Sequence, residues 1–459
     1  MIVAVLLVGD MVAAVGTAIY QTSSHSPWTA TVRPDPHARA VPDRAQQRGE
    51  RAGDGPPSGD SAAAIRADHS SGRGDEQGRR AAVHALLEQR AKAVRTGNRA
   101  AFLATVSPGD PAFRAHQRRL FRNLSRLPLT VWEYEITSEH RPRPPRPGRS
   151  SANVWTPRLV LRYQFGEFDQ GTVTVTRYLT FTHGPRGWRI TDLADGTTRR
   201  IWDLGRLRVA RQGHALVLGV GASRSRLEQM ARRMNRAIPA VSSVWGREWS
   251  RRAVVLVPST QQQASVLSPD EGSLDQITAV ATVASGPSGV PSPGTGDRVI
   301  VNPANFADLT SMGRRVVLRH ELTHVATRAY TDKTAPMWLV EGFADYVGYQ
   351  GVELPARRIA RELSASVRTG AAPRQLPTRT DFAGTAKHLT RAYESAWLAC
   401  ELVAQRHGED RLVRLYRRMG SAADDSLRQA RTRAMREVLG TTPAEFQSAW
   451  RSYVRSSLG

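Results

Sequence analysis

Cysteine occurs once in the 459 residues, at Cys400. A single thiol can form no intrachain disulfide and no cysteine-based zinc site. It falls in the apolar run Ala396-Trp397-Leu398-Ala399-Cys400, so a buried structural thiol is expected there rather than a nucleophile. Lysine is nearly as scarce. Only Lys92, Lys333 and Lys387 stand among 65 basic residues, and arginine carries the formal charge of +24. No signature of nucleic-acid binding uses that charge: there is no zinc-finger spacing, no RNP-type aromatic strand and no basic region leading into heptads. A solvated arginine-rich surface is the expected reading, open to anionic headgroups or wall polymers, and nucleic acid is not an expected partner. Apolar residues make up 40%, enough for real cores, with the shortfall placed in local disordered stretches.

The length suggests two or three domains. Met1 to Tyr20 is apolar apart from Asp10, and twenty helical residues span about 30 Å, the thickness of a bilayer's hydrocarbon core. The segment lacks a basic start, and Gly16-Thr17-Ala18 is a weak cleavage site. Residues 1–20 therefore read as a transmembrane anchor or a signal peptide. Both readings put the rest of the chain outside the cytoplasm, held at the cell membrane or secreted. Residues 21–78, rich in Pro, Gly, Ser, Asp and Arg, read as a flexible linker.

From residue 79 to about 205 the pattern predicts a small α+β domain. A helix is expected over Ala81 to Arg95, with Val83, Leu86, Leu87 and Val94 on one side, and another over Pro111 to Leu124. Strands are expected over Thr130 to Ser138, Trp155 to Phe165, Thr172 to Phe181 and Trp188 to Leu193, the first two joined by a Pro-rich loop at Arg141 to Arg149. The stretches Ala93 to Pro108 and Trp188 to Gly196 resemble the NTF2-like cone fold. A second block covers residues 210–459. It begins with strand candidates at His214 to Val220, Arg252 to Pro258, Gln276 to Ala284 and Arg298 to Asn302, and an amphipathic helix at Ser223 to Val241. From Thr310 onward it is almost wholly helical, closing with Trp397 to Met419 and Ala434 to Trp450.

The chemistry is concentrated in His320-Glu321-Leu322-Thr323-His324. Histidines at i and i+4 project from one helical face and can reach one metal ion. Leu318, Leu322, Val325 and Ala329 form the stripe expected to face the core, and Val317, His320 and His324 the stripe beside it. A catalytic zinc needs a third protein ligand and an open position for water. Downstream, Pro336 opens a second helical pattern in which Glu341 and Asp345 are again at i and i+4. Glu341 is the natural third ligand. Asp345 is placed to fix the far ring nitrogen of His320.

His320-Glu321-x-x-His324 followed by Trp338-Leu339-Val340-Glu341-Gly342-x-x-Asp345-Tyr346 resembles the gluzincins, in particular the peptidase MA-like metallohydrolases. The resemblance covers about residues 210 to 455. It implies a thermolysin-like zincin domain, a sheet followed by a mostly helical half, and one Zn2+ per chain on His320, His324 and Glu341. It further implies Glu321 as general base, Asp345 as support for His320, and a peptide or protein substrate. For the oxyanion stabiliser Tyr393 is the candidate, with His388 behind it. The strand Arg298 to Asn302 is either the edge strand that pairs with substrate or an ordinary core strand. Two other readings stay open: a catalytically silent binding protein with a peptidase-like fold, and a zinc hydrolase of non-peptide amides or esters.

Overall fold

Alanines at positions 62, 63, 64 and 67 favour helix strongly enough to extend the first element well before its expected start. Helix α1 runs Ser61–Arg95, so the last part of the stretch read as a linker is helical. The structure is a computed structural model that describes residues 61–138, 153–268, 278–283, 294–331, 334–383, 385–420 and 427–459. Residues 1–20, most of the linker and the Pro-rich loop at 141–149 lie outside the described residues. Among those described, no helix is long and apolar enough to cross a membrane. Val12–Ala81 separates from a larger unit that includes Ala82–Gly459. The larger unit holds the end of α1 and every later element.

After α1 come α2 (Arg99–Ala104), whose first turn is capped by Asn98, and α3 (Pro111–Leu124), where Asp110 accepts from the N–H groups of Ala112 and Phe113. An antiparallel sheet then forms from β1 (Val131–Ser138), β2 (Val154–Trp155), β3 (Arg158–Gln164), β4 (Val173–Gly184) and β5 (Gly187–Leu193). β4 is its spine: β3 pairs with its first half, and β2 and β5 pair with its second. Its side chains alternate, with Val173, Val175, Arg177, Leu179 and Phe181 pointing inward.

The second sheet has the order β6 (Leu207–Gln212), β7 (Ala215–Val220), β8 (Ala253–Val257), β10 (Arg298–Val301), β9 (Ala279–Thr282). β7, β8 and β10 are parallel, and β6 and β9 close the two sides antiparallel. β6 is absent from the sequence reading because only Leu207 and Ala210 on it are buried, too few to make a pattern. Arg298 to Asn302 is not the edge. Its strand lies between β8 and β9 and is buried along its whole length, and β9 takes the edge position.

Helices complete the unit: α4 (Arg224–Trp245), α5 (Gln261–Leu267), α6 (Pro303–Asp308), α7 (Ser311–Thr327), α8 (Met337–Tyr349), α9 (Ala356–Ile359), α10 (Arg361–Arg368), α11 (Leu389–His407), α12 (Glu409–Gly420), α13 (Leu427–Leu439) and α14 (Pro443–Leu458). α7 packs against α4, α8 and the edge strand β9. α11 ends at Gly408, whose φ of +88° lies in the left-handed region that favours glycine.

The two sheets do not belong to separately packed halves. One apolar core runs from Phe102 through Trp202, Leu216, Leu318 and Phe343 to Trp450. Asn123 on α3 crosses the expected boundary near 205–210: its amide donates to the carbonyls of Trp202 and Gly205 and accepts from Leu207 N–H. Asp169, buried after the short turn that follows β3, accepts from Arg298 Nη1 at 2.7 Å and Nη2 at 2.9 Å, and from Gly296 N–H. This is a two-pronged buried pair in which each partner satisfies the other. Removing one partner leaves a buried charge alone, at a cost of about 3–5 kcal/mol. We expect Asp169→Ala to lose stability on that scale in urea unfolding, and Asp169→Ala with Arg298→Met to recover most of it. Equal losses in the single and double variants would contradict the pairing.

Candidate metal centre

α7 begins at Thr310, whose hydroxyl accepts from Gly313 N–H at 3.1 Å. Its apolar stripe is wider than the sequence pattern suggests: Val316, Val317, Leu318, Leu322, Val325 and Ala326 are all buried. Ala329, expected on the core stripe, is exposed, because the helix ends at Thr327 and the chain enters a tighter turn over Arg328–Tyr330. His320, Glu321 and His324 are each 0–1% exposed.

α8 starts directly after Pro336 and carries Glu341 and Asp345 on the face turned to α7. Glycine sets the approach on both of its sides. A Cβ at Gly342 would stand 2.2 Å from the Ala396 carbonyl oxygen of α11, and one at Gly348 would stand 3.1 Å from the Val316 carbonyl oxygen of α7. α8 is therefore pressed between the two helices with no room for a methyl group at Gly342.

That approach brings the polar groups together. His320 Nδ1 lies 2.7 Å from Asp345 Oδ1. With the proton held there, the lone pair at Nε2 points the other way. His320 Nε2 is 3.0 Å from His324 Nε2, and Glu341 Oε2 is 3.5 Å from the first and 3.4 Å from the second. Four ligand atoms about 2.1 Å from a tetrahedral zinc ion are about 3.4 Å apart. The three donor atoms thus form a triangle of the size that one face of such a site requires. Among the described residues this is the only group of three or more His, Cys, Asp or Glu with that convergence. The oxygens of Glu341 and Nδ1 of His324 have no hydrogen-bond partner there. A fully buried carboxylate facing two imidazoles needs positive charge beside it, which a bound metal ion could supply. The donor set, its burial and its spacing fit zinc.

Burial lowers the basicity of His320, but Asp345, Glu341 and Glu321 outweigh it and push the imidazole up to about 10. Burial keeps His324 below the ordinary histidine value in spite of Glu341. Against the effect of burial, the two imidazoles hold the Glu341 carboxyl below the usual carboxylate range.

Tyr393 on α11 is buried at the margin of this group, its ring centre 6.3 Å from that of His320 and its other side against Phe382. His388 is not behind it. It is exposed at the start of α11 and lines a separate cavity of about 240 Å³ with Arg374, Asp381 and Arg391. Cys400 is buried and free, its thiol pushed up by burial. His183 packs on Trp188 in the first sheet, and His214 is exposed in a turn.

One residue of this region escaped the sequence reading. Glu394, next to Tyr393, caps the start of α10 by accepting from Glu362 N–H and Leu363 N–H. Nothing in the sequence spacing links positions 31 and 32 residues apart.

No family model matches the chain, and no curated protein matches it. Solved structures do. They include an M1 zinc metallopeptidase from Deinococcus radiodurans (14% identity, covering 71% of this chain and 61% of that one, TM-score 0.31). A mutant of an M1 zinc metallopeptidase from that organism, bound to a Tyr-Ser-Ala substrate, matches at 14% identity over 71% of this chain and 62% of that one, with TM-score 0.32. A two-domain M1 zinc metallopeptidase mutant bound to L-tryptophan matches at 14% identity, covering 71% of this chain and 61% of that one, with TM-score 0.32. The chain thus spans less than two thirds of their length, and a likeness at this TM-score bears on neither the site nor its chemistry.

Two outcomes follow from the geometry. Gly342→Ala must displace α8 from α11, so we expect weaker zinc binding in competition with a chromophoric chelator as well as lower stability. The second concerns Glu394. Burial pushes its carboxyl up to about 7, against the pull of the two backbone donors. Its folded value thus lies above that of the unfolded chain. The proton stabilises the fold fully at pH below the ordinary carboxylate range, and this contribution disappears as pH rises through 7. Between pH 5 and 8 the thermal midpoint of the wild type should fall relative to that of Glu394→Gln. Parallel curves would show that Glu394 does not titrate there.

Proposed function

We propose that this chain is a zinc-dependent hydrolase that cleaves peptide bonds outside the cytoplasm. The reading is carried by one observation: the triangle of donor atoms from His320, His324 and Glu341, buried and sized for zinc. The location rests on the apolar segment at residues 1–20.

His320, His324 and Glu341 would hold the ion, and Asp345 would keep His320 in the tautomer that presents Nε2. A bound zinc would supply Lewis acidity, lowering the pKa of a water to about 7 and polarising the substrate carbonyl. The remaining work falls to the chain's own groups. Glu321, on the same helix as both histidines and fully buried, takes the proton of the attacking water and returns it to the leaving amine. Tyr393, beside His320, donates a hydrogen bond to the carbonyl oxygen as negative charge develops. An extended substrate would lie along β9, the edge strand packed next to α7.

Purified protein should carry close to one zinc per chain and cleave casein in a chelator-sensitive reaction. Glu321→Gln should retain the zinc and lose about 10²–10⁴-fold in kcat, the range of a general base. Tyr393→Phe should lower kcat by about 10²–10³-fold with KM little changed, as for the loss of one oxyanion donor. Absence of bound metal would overturn the enzymatic reading. Metal with hydrolysis of esters or non-peptide amides but not of peptides would replace the substrate class. Metal with no hydrolysis in either wild type or Glu321→Gln would leave a binding protein.

A further inference from the structure

Between the first sheet and the helices that cover it lies a cavity that shares no lining residue with the metal centre. It has about 20 Å³ of free space, room for one particle of water or halide size. Two guanidinium groups, of Arg90 and Arg177, line it, and one carboxylate, of Asp203. Arg177 takes an inward position on β4, and its Nη2 pairs with Asp203 Oδ2 at 2.9 Å, both side chains nearly inaccessible. The same Asp203 oxygen also accepts from Arg200 N–H. Among the described residues, the only carboxylate lining the cavity is therefore already committed.

Arg90 is 1% exposed and pairs with no carboxylate among the described residues. Its Nη1 donates to Thr105 Oγ1 at 3.0 Å, its Nη2 donates to Gln117 Oε1, and its charge sits 3.7 Å above the Phe102 ring. These partners are neutral, as is the Tyr134 side chain that also bonds the guanidinium. Nε has no partner. Gln117 turns its amide nitrogen toward His116 Nδ1, and burial holds that imidazole below its ordinary basicity; the one carboxylate near by among the described residues, Asp203, is paired with Arg177. Taking a guanidinium out of water without a counter-charge costs several kcal/mol. A cavity the size of one small ion stands beside such a group.

We propose that this cavity binds one small monovalent anion, of halide to formate size, as the counter-ion of Arg90. The anion would neutralise the buried charge and would tie α1 and α3 to the first sheet. It would not take part in hydrolysis, so the site stands or falls independently of the zinc reading.

The full chain, thermally unfolded at constant ionic strength, tests this. Sodium gluconate is replaced stepwise by chloride, bromide or formate. The midpoint should climb with each tenfold rise in the small anion and stay level in gluconate. Gln117→Glu places a carboxylate against Arg90 within the chain. Its midpoint in gluconate should match or exceed that of the wild type in chloride, and its response to chloride should vanish. Arg90→Met, checked for its fold by circular dichroism, should also lose the response. A wild-type midpoint that moves equally in gluconate and chloride would overturn the proposal. So would a chloride response that survives in Gln117→Glu, a variant that keeps every side-chain volume and needs no rescue of folding.

Discussion

The hydrogen bond between His320 and Asp345 joins the two helices on which the candidate centre depends. It spans only 2.7 Å and is shut away from water, so it fixes the rotation of the ring as well as its proton. With Nδ1 so engaged, Nε2 has one direction left, toward His324 and Glu341. The contact requires α7 and α8 to lie close. Gly348 allows that on the α7 side, and Gly342 lets α11 press α8 from behind. Two histidines and three acids buried together carry a heavy desolvation cost. Val317, Leu318, Leu322 and Phe343 on the same two helices are buried with them.

The first sheet contributes to this in an indirect way. Asp169 grips Arg298 and Gly296 at the start of β10, and Asp297 between them reaches Arg328, one turn beyond His324, at 2.5 Å. A chain of charged contacts thus runs from beside the small antiparallel sheet to the turn that follows the helix of His320 and His324. The two sheets share one core, and this grip adds a polar tie between them.

Much was legible from periodicity. The strands of the first sheet, the helices at Pro111–Leu124 and Arg224–Trp245, and the stop at Gly408 follow from alternation, capping and glycine, which are local effects. The failures have a common cause. Arg298 to Asn302 has the composition of a strand, but whether a strand is central or at an edge depends on which neighbours pair with it. Ala329 fits the helical stripe, but the helix stops two residues earlier, at Thr327. His388 and Tyr393 are close in sequence, yet a start of helix between them points one outward and the other inward.

The sequence alone named the candidate donor set. Histidines four apart share one helical face and acids four apart on a following helix share another, so both pairs can turn toward one ion. Tertiary structure decided what those residues meet. The separation of the donor atoms, the direction of the His320 ring and the presence of Tyr393 beside it depend on how closely three helices pack. So do the buried charges at Arg90 and Glu394, whose partners come from positions that no local pattern connects. Spacing along a chain is set by covalent geometry, whereas proximity across it is set by which surfaces exclude water together.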